Sequence, residues 1–598
     1  MALTAAILVF ALLAYYYVAM HGKAGVAHIG PVYVNAKELK LLLQDEDEQD
    51  ALTVNLGLEI PGTAMYEDCK GDGAKTVCFW WRNISVNVEK PVAELRVKIH
   101  DYKEDEVKCA DVEWTSMLHE IPLMDCFPFT QQVSEDKAHV VKDMHWYGGG
   151  EVYHMKWPME RIVIPMKPFI SKDLIQDQEA YGSVLERYWL NSFGVAIVVD
   201  EDTPLHVSIN EENSQQMCFK AEYINSPFQN PLNKYPTLKY SMCIGKDMRT
   251  THTYIMKKHF QTPKEAPDER MFRYPIWSTW ARYKIHVNRT YVMQYANEIK
   301  DYGFNNSLIE IDDMYATSHG EFDFDEKKFP NATKMVSDLH DMGFQVSVWV
   351  HPFANIDSPV FLEGMDRGFW LTDSTGKIPA LIKWWNGVAG VLDTSNEEAT
   401  EWYNERLKAM QKKYSIDSFK FDAGESQYVP MHYNSSVEFL DPNLYCSKYV
   451  KAIECLGKQL ARQIEVRCGH KSQEYPVFVR MMDKDSNWNY SNGLLTVIPS
   501  ALAMGLLGYP YILPDMIGGN CYDKAIHSQY LPDRELYIRW MQLTAYLPSM
   551  QFSVAPWQYG DDDVVRIALE MTRVHADVVT PLVMGLTQDA IGEGRLIK

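Results

Sequence analysis

Three features are missing from this 598-residue chain. No Gly-rich phosphate loop opens its alternating strand and helix half, which disfavours an open doubly wound sheet with a nucleotide site. No two Cys-x2-4-Cys pairs are spaced as a zinc site requires, and no internal repeat or low-complexity tract recurs. Positive charge is also short, with 58 Lys and Arg against 80 Asp and Glu and a formal charge of -22. A phosphate backbone would be repelled, so nucleic acid is disfavoured as a partner. Neutral, polar ligands remain, and sugars are the obvious class.

What is present is a well-packed globular composition, 46% apolar and 12% aromatic, at a length that suggests about two to four domains. Ala2 to Met20 run without a charge, close to the ~20 residues that span a bilayer. The run lacks a basic leader and a clear small-residue cleavage site, so it reads as an uncleaved type II membrane anchor rather than a signal peptide. Lys23 on its carboxyl side argues weakly against that orientation. Six Asn-x-Ser/Thr sequons, at Asn83, Asn288, Asn305, Asn331, Asn434 and Asn489, suit a lumenal or extracellular body. Among ten cysteines, the close pairs Cys69 with Cys78, Cys109 with Cys126 and Cys218 with Cys243 read as local disulfides. The expected location is the secretory-pathway lumen (endoplasmic reticulum or Golgi), the cell surface or the secreted fraction.

Short strand-like runs between about 50 and 265 predict an all-β domain, a sandwich. From 273 onward strands alternate with helices. The expected strands are 273–280, 307–313, 345–351, 389–393, 418–424, 477–483, 511–516 and 550–556, the count of a (β/α)8 TIM barrel. The expected division is an N-terminal segment at 1–25, a β-sandwich domain at 26–265, a catalytic barrel at 266–586, and the start of a C-terminal β domain at 587–598.

The stretch "SFKFDAGES" at 418–426 places Ser418, Lys420 and Asp422 on one face and Phe419 and Phe421 on the other. Barrel enzymes carry chemistry at the carboxyl ends of their strands. Glu310 and Asp312 would end the second strand, Asp422 the fifth, Asp483 the sixth and Asp515 the seventh. Any one acid there is commonly a helix cap or salt-bridge partner, as Asp313 and Asp485 could be. Five together repel one another and call for a task. Holding a divalent metal is one such task, but His351 is the main histidine at a strand end. Handling a sugar is the other: a retaining glycosidase needs an ionised nucleophile and a protonated acid. Lys420 beside Asp422 would keep that acid charged, whereas burial would raise Asp483 unless Arg480 turns inward. Trp277, Trp280, Trp384 and Trp385 could stack on sugar faces, and Arg467 could fork onto hydroxyls or a carboxylate.

"IEIDDMY", "KWWNG", "SFKFDAGE", "VRCGHKSQEYPVFVRMMDKDSNW" and "GYPYILPDMIGG", in that order, resemble glycoside hydrolase family 31. "HWYGGGE" and "RYWLNSFGVAIVVD" look like that family's N-terminal sandwich and the loop it extends toward the active site. The resemblance, over roughly 50–598, implies Asp422 as nucleophile and Asp483, sixteen residues after Arg467, as acid and base. It also implies that Arg467, Asp312 and Trp385 bind the sugar, with no metal or organic cofactor. Glu310, Asp313 and Ser553 depart from the family's usual Asp, Tyr and His. The departures weaken an α-glucosidase assignment and are shared in style with a branch whose members look like α-galactosidases. The implied substrate is an α-linked oligosaccharide or glycoconjugate, most of all an α-galactoside. The alternatives are an α-glucosidase and a catalytically silent sugar-binding or signalling protein. Glu310, Trp280 and Asp515 join the expected substrate-binding set, with Lys420 in support. Asn489, six residues past Asp483, would lie too close to the site for a glycan. Membrane association through the N-terminal segment and a homodimer are further expectations.

Overall fold

The computed structural model describes residues 25–593 except 61–63, 69–74, 84–90, 101–105, 119–120, 136–137, 230–234, 458, 461 and 523–529. The apolar run at 2–20 and Cys69 lie outside the described residues. Among those described, no helix is long and apolar enough to cross a membrane. The chain divides into two units, one drawn from residues up to Trp146, Val163–Pro168 and Arg187–Ile255, the other from Tyr147–Ile162, Phe169–Glu186 and Met256 onward.

The first unit is built from antiparallel strands. In one sheet the order is Val26–Ile29, Val32–Asn35, Lys40–Gln44, Asp50–Asn55, Leu123–Pro128, Gln216–Ala221, Leu205–Ile209 and Ile164–Pro168. In a second sheet Val195–Val199, Thr237–Ile244, Lys108–Ser116, Ala93–His100, Thr76–Asn83 and Ala64–Asp68 lie side by side. Alternation drives the layering: in Ala93–His100 residues Ala93, Leu95 and Val97 are buried while Glu94 and Arg96 are less so. Phe127 and Phe219 from the first sheet meet Tyr240 from the second and Trp189, which stands opposite Ile197 on the strand pairing with Val195–Val199, with ring centroids 4.6–6.4 Å apart. Large aromatic surfaces of this kind dominate core energetics.

Two disulfides correct the expected pairs Cys109 with Cys126 and Cys218 with Cys243. Cys109 is bonded to Cys243 and Cys126 to Cys218. The physical reason is register: Cys243 stands opposite Cys109, and Cys218 opposite Cys126, on neighbouring antiparallel strands. Cys109 and Cys126 stand on strands of different sheets, as do Cys218 and Cys243, whereas the residues opposite one another within a sheet are brought to a Cα separation of 4.1 Å.

The second unit contains the barrel. Its parallel strands are β1 (Ile276–Ser278), β2 (Leu308–Ile311), β3 (Gln345–Val350), β4 (Ser418–Phe421), β5 (Glu465–Val466), β6 (Phe478–Arg480), β7 (Ile512–Leu513) and β8 (Gln551–Phe552). β8 pairs with β1, and a parallel bridge between Met516 and Gln551 closes the circle. The expected count of eight holds, but one member is different. Residues 387–391 belong to a three-stranded antiparallel sheet with 353–355 and 381–384, and the two-residue β5 takes a place in the barrel instead. Asp422 therefore follows the fourth strand rather than the fifth. Residues 587–593 continue the helix Thr580–Glu593 and carry no strand.

Helices that cover the barrel start on side-chain caps. Asn288, Asn396 and Asp533 each accept a backbone N–H from the first turn of the helices 289–301, 397–414 and 534–544. Non-reducing peptide mapping is expected to recover the 109–243 and 126–218 crosslinks and neither 109–126 nor 218–243. Replacing Cys126 and Cys218 together by Ser should lower unfolding free energy by about 2–4 kcal/mol in a urea titration.

Candidate active site

β4 resolves the pattern of its own sequence. All four of its residues are buried, yet Phe421 turns outward to Tyr449 of the helix 444–454 while Lys420 turns into the barrel. Asp422 follows, its amide bonded to the Val350 carbonyl at 2.8 Å, so its position continues the β3–β4 ladder. The chain then turns sharply through Ala423 and Gly424, both at positive φ. A Cβ on Gly424 would stand 2.8 Å from Cys468 Sγ and from the Tyr449 ring, a clash that only glycine avoids.

Asp422 opens onto a cavity of about 350 Å³ at the carboxyl ends of the strands. Its Oδ2 accepts a hydrogen bond from Trp349 Nε1 at 2.8 Å, and its Oδ1 lies 3.1 Å from Arg480 Nη2 and 3.3 Å from Arg467 Nε. Asp483 shares the cavity. Its Oδ1 accepts from Arg480 Nη1 at 2.5 Å and its Oδ2 from the Tyr522 hydroxyl at 2.7 Å. Neighbouring nitrogens of one planar guanidinium thus hold an oxygen of each acid, which keeps those oxygens within about 8 Å of each other. Arg467 is seated by Glu425, which accepts from its Nε at 2.5 Å and from the Ser183 hydroxyl at 2.8 Å.

The surroundings of the two acids favour their charged forms. Burial opposes ionisation of Asp422, but Arg467 and Arg480 outweigh it and hold the carboxyl below its usual range. Burial opposes the charge on Asp483 as well; Arg480 and Arg467 again prevail, and its carboxyl is held well below the ordinary value. Lys420 is not the main cation for Asp422. It lies 3.1 Å from Asp312 and 3.8 Å from both Glu310 and Glu465. Burial pushes Asp312 up to about 6 despite that lysine, and it pushes Glu465, beside Glu310, well above the carboxylate range.

Of the residues expected at the site, Asp422, Asp483, Asp312, Arg467, Lys420, Trp280 and Trp385 line one cavity. Trp385 is 37% exposed, with the Arg467 guanidinium 5.1 Å from its ring centroid. Glu310 and Asp515 do not line it. Glu310 is bonded to Gln551 at 2.8 Å, and Asp515 accepts from Asn520 at 2.6 Å and the Lys484 amide at 2.7 Å, both acids fully enclosed by these donors. Trp277 and Trp384 are core residues: the first stacks on Phe552, and the second donates to Asn355. Ser553 is buried, its hydroxyl accepting from the Ala281 amide at 2.7 Å. Asn489 is exposed and does not line the cavity. Asp313 is no helix cap; it lines the wall, accepting from Asn386 at 2.6 Å and lying 2.9 Å from His319.

Asp173, Tyr522, Asn386 and Trp349 are among the wall residues that sequence reasoning missed. Asp173 arrives from the segment 169–186, its carboxyl 4.0 Å from Arg467 Nη2 and pushed up to about 6 by burial. Tyr522, Asn386 and Trp349 line the same cavity, as do Ile175, Gln176, Ile285, Met516 and Asn520. Trp349 carried a signal, since it stands near the end of a predicted strand, and so did Asn386, which lies in the stretch "KWWNG".

A model of the glycosyl hydrolases family 31 TIM-barrel domain matches residues 271–578. A model of the myogenesis-regulating glycosidase N-terminal domain matches 131–235. The chain is 40% identical to the Mus musculus protein named myogenesis-regulating glycosidase over 75% of its own length, and spans 63% of that relative's length. It is 28% identical to the SITS-binding protein of Tetronarce californica over 82% of this chain and 67% of the other. A Flavobacterium johnsoniae GH31 dextranase, solved with isomaltotriose, superposes with a TM-score of 0.63 at 15% identity, covering 96% of this chain and 70% of that one, a likeness of fold.

Behind β6, the fully buried Glu151 makes only a 3.5 Å contact from the Met482 amide to its Oε1, and its Oε2 has no hydrogen-bond partner. Burial pushes it up to about 7, with Lys484 opposing. A carboxyl raised on folding stabilises the fold below its unfolded value, and that stability is lost as pH climbs from about 4.5 to about 7. Glu151→Gln should therefore gain on the order of 3 kcal/mol over the native chain at pH 8 and little at pH 4. Urea midpoints at both pH values check this; an equal difference at the two would refute it.

Proposed function

The chain belongs to glycosyl hydrolase family 31, and from that premise we propose that it is a retaining α-glycosidase acting on terminal α-linked sugars. In this reading Asp422 is the nucleophile and Asp483 the acid and base. The observation that carries it is the single Arg480 guanidinium touching both carboxylates across one cavity.

In the first step an Asp422 oxygen attacks the anomeric carbon, the glycosidic C–O bond breaks, and its electron pair leaves on the departing oxygen, which takes a proton from Asp483. In the second step the Asp483 carboxylate removes a proton from water. The water oxygen attacks the same carbon, the bond to Asp422 breaks, and both acids return to their starting states. The pairing with Arg480 and Arg467 favours the nucleophile's charged form. It also favours the base form of Asp483, so proton donation in the first step needs that carboxyl to gain its proton against two guanidinium groups. No step calls for a metal or an organic cofactor.

The preferred sugar is an α-galactoside. Galactose differs from glucose in an axial O4, so the preference turns on the hydroxyl acceptors of the cavity wall. Asp312 and Asp313 stand there in succession, while Ser553, where many α-glucosidases of the family carry His, does not line that wall and its hydroxyl oxygen accepts from the Ala281 amide. The second reading is an α-glucosidase of the same family; the likeness to the dextranase is one of fold and does not choose between the two sugars.

Asp422→Asn should lower turnover by at least about 10⁴-fold with folding intact. An active Asn variant would end its role as nucleophile. Aryl α-galactoside should be cleaved faster than the matching α-glucoside, with the α-anomer seen first by proton NMR. Release from neither would favour a silent sugar binder, and first appearance of the β-anomer would make the enzyme inverting.

A further inference from the structure

Arg480 is among the largest fully enclosed side chains of the protein, at 2% exposure, and it meets four carboxyl groups. Nη1 donates to Asp483 Oδ1 at 2.5 Å and to Asp515 Oδ1 at 3.3 Å. Nη2 donates to Asp422 Oδ1 at 3.1 Å, and Nε lies 3.2 Å from Glu465 Oε1. Glu465 and Asp515 thus brace the guanidinium plane from behind, while its two terminal nitrogens reach the reacting pair. Tyr522 takes the other oxygen of Asp483 at 2.7 Å, and its own oxygen accepts from Trp280 Nε1 at 2.8 Å, so the hydroxyl hydrogen is directed at the carboxylate. Each oxygen of Asp483 therefore already faces a donor.

Resting on the glycosidase reading above, we propose that Arg480 is a positioning residue: its fork sets the spacing of Asp422 and Asp483. Together with Tyr522 it occupies both Asp483 oxygens, so that proton donation to a leaving group requires the Arg480 contact to open. A lysine cannot reproduce this, because a point charge on a flexible stem reaches one acid at a time, whereas a planar fork fixes two. The consequence is a division between substrates. A leaving group that departs unaided needs only the spacing; a poor one also needs the contact to open. Charge balance alone would make no such distinction.

The test is a series of aryl glycosides of one sugar with leaving phenols of graded acidity, run on the native enzyme, Arg480→Lys and Tyr522→Phe. The native enzyme should show a steep fall of kcat/KM with rising phenol pKa. Arg480→Lys should lose roughly 10²-fold on the most activated phenol and about tenfold less on the poorest, flattening the series. Tyr522→Phe, which keeps the charges, should flatten it in the same direction by a smaller factor. An equal loss across the series in either folded variant would overturn the proposal, since a residue with a merely structural role moves every substrate alike. Should Arg480→Lys fail to fold, the Tyr522→Phe series decides. Should the native enzyme cleave no aryl glycoside, the glycosidase reading falls. The positioning claim is then read from a crystal structure of Arg480→Lys: a change of about 1 Å or more in the Asp422–Asp483 separation upholds it, and an unchanged separation overturns it.

Discussion

Six carboxyl groups and three cations share the interior of this barrel with little access to water. Asp312, Asp422, Asp483 and Asp515 alternate with Lys420, Arg467 and Arg480, and Glu310 and Glu465 lie beneath them. Moving each charge out of water costs several kcal/mol, and mutual attraction offsets that only with good geometry and saturated hydrogen bonds. The remaining imbalance is relieved by protons: Glu465 is pushed well up, and Asp312 and Asp515 are raised to about 6. Where barrels are commonly filled by branched apolar layers, this one is filled at its carboxyl end by a charge lattice. Removing any one cation would leave buried acids uncompensated, so the electrostatics of the site and the stability of the fold are one property.

The lattice has a scaffold drawn from far away in sequence. Ser171, Ser426 and Asn443 bond to one another at 2.9 Å, Ser183 bonds to Glu425, and Tyr153 bonds to Asp485. These contacts tie the segments 147–162 and 169–186 into the second unit. Glu425 in turn seats Arg467, so a hydroxyl nearly 240 positions before the nucleophile helps aim a guanidinium at it. The "AGE" that follows Asp422 thereby has a reason: a positive-φ turn packed against Cys468 and Tyr449, and an acid that orients the neighbouring arginine rather than reacting.

The same arrangement creates a chemical tension. A nucleophile gains from two guanidinium neighbours because they preserve its charge, whereas a proton donor is hindered by them. Placing one arginine between the pair couples the two requirements, and the balance between them falls on whatever substrate separates the acids.

Much of the barrel was legible because period-2 alternation and strand-terminal acids survive in a single sequence. Seven of the eight expected strands correspond to barrel strands, and "SFKF" carried its inward lysine openly. The exception is instructive. "AGVLD" has the residues of a strand and forms one, but in a small antiparallel sheet, while the two residues Glu465 and Val466 are too few to show any period. The partners of Cys109 and Cys218 were misread because proximity along a chain says nothing about which residues stand opposite across a sheet. Which acids would be present, and the residue types needed to handle a sugar, were determined by the sequence alone. Which of them face the cavity was not: Glu310 and Asp515 against Asp312 and Asp483, Trp349 against Trp277, and Arg480 rather than Lys420 as the partner of Asp422 were decided only when eight strands closed into a circle. A side chain's direction across that circle depends on the stagger and tilt of neighbours that lie tens to hundreds of residues away.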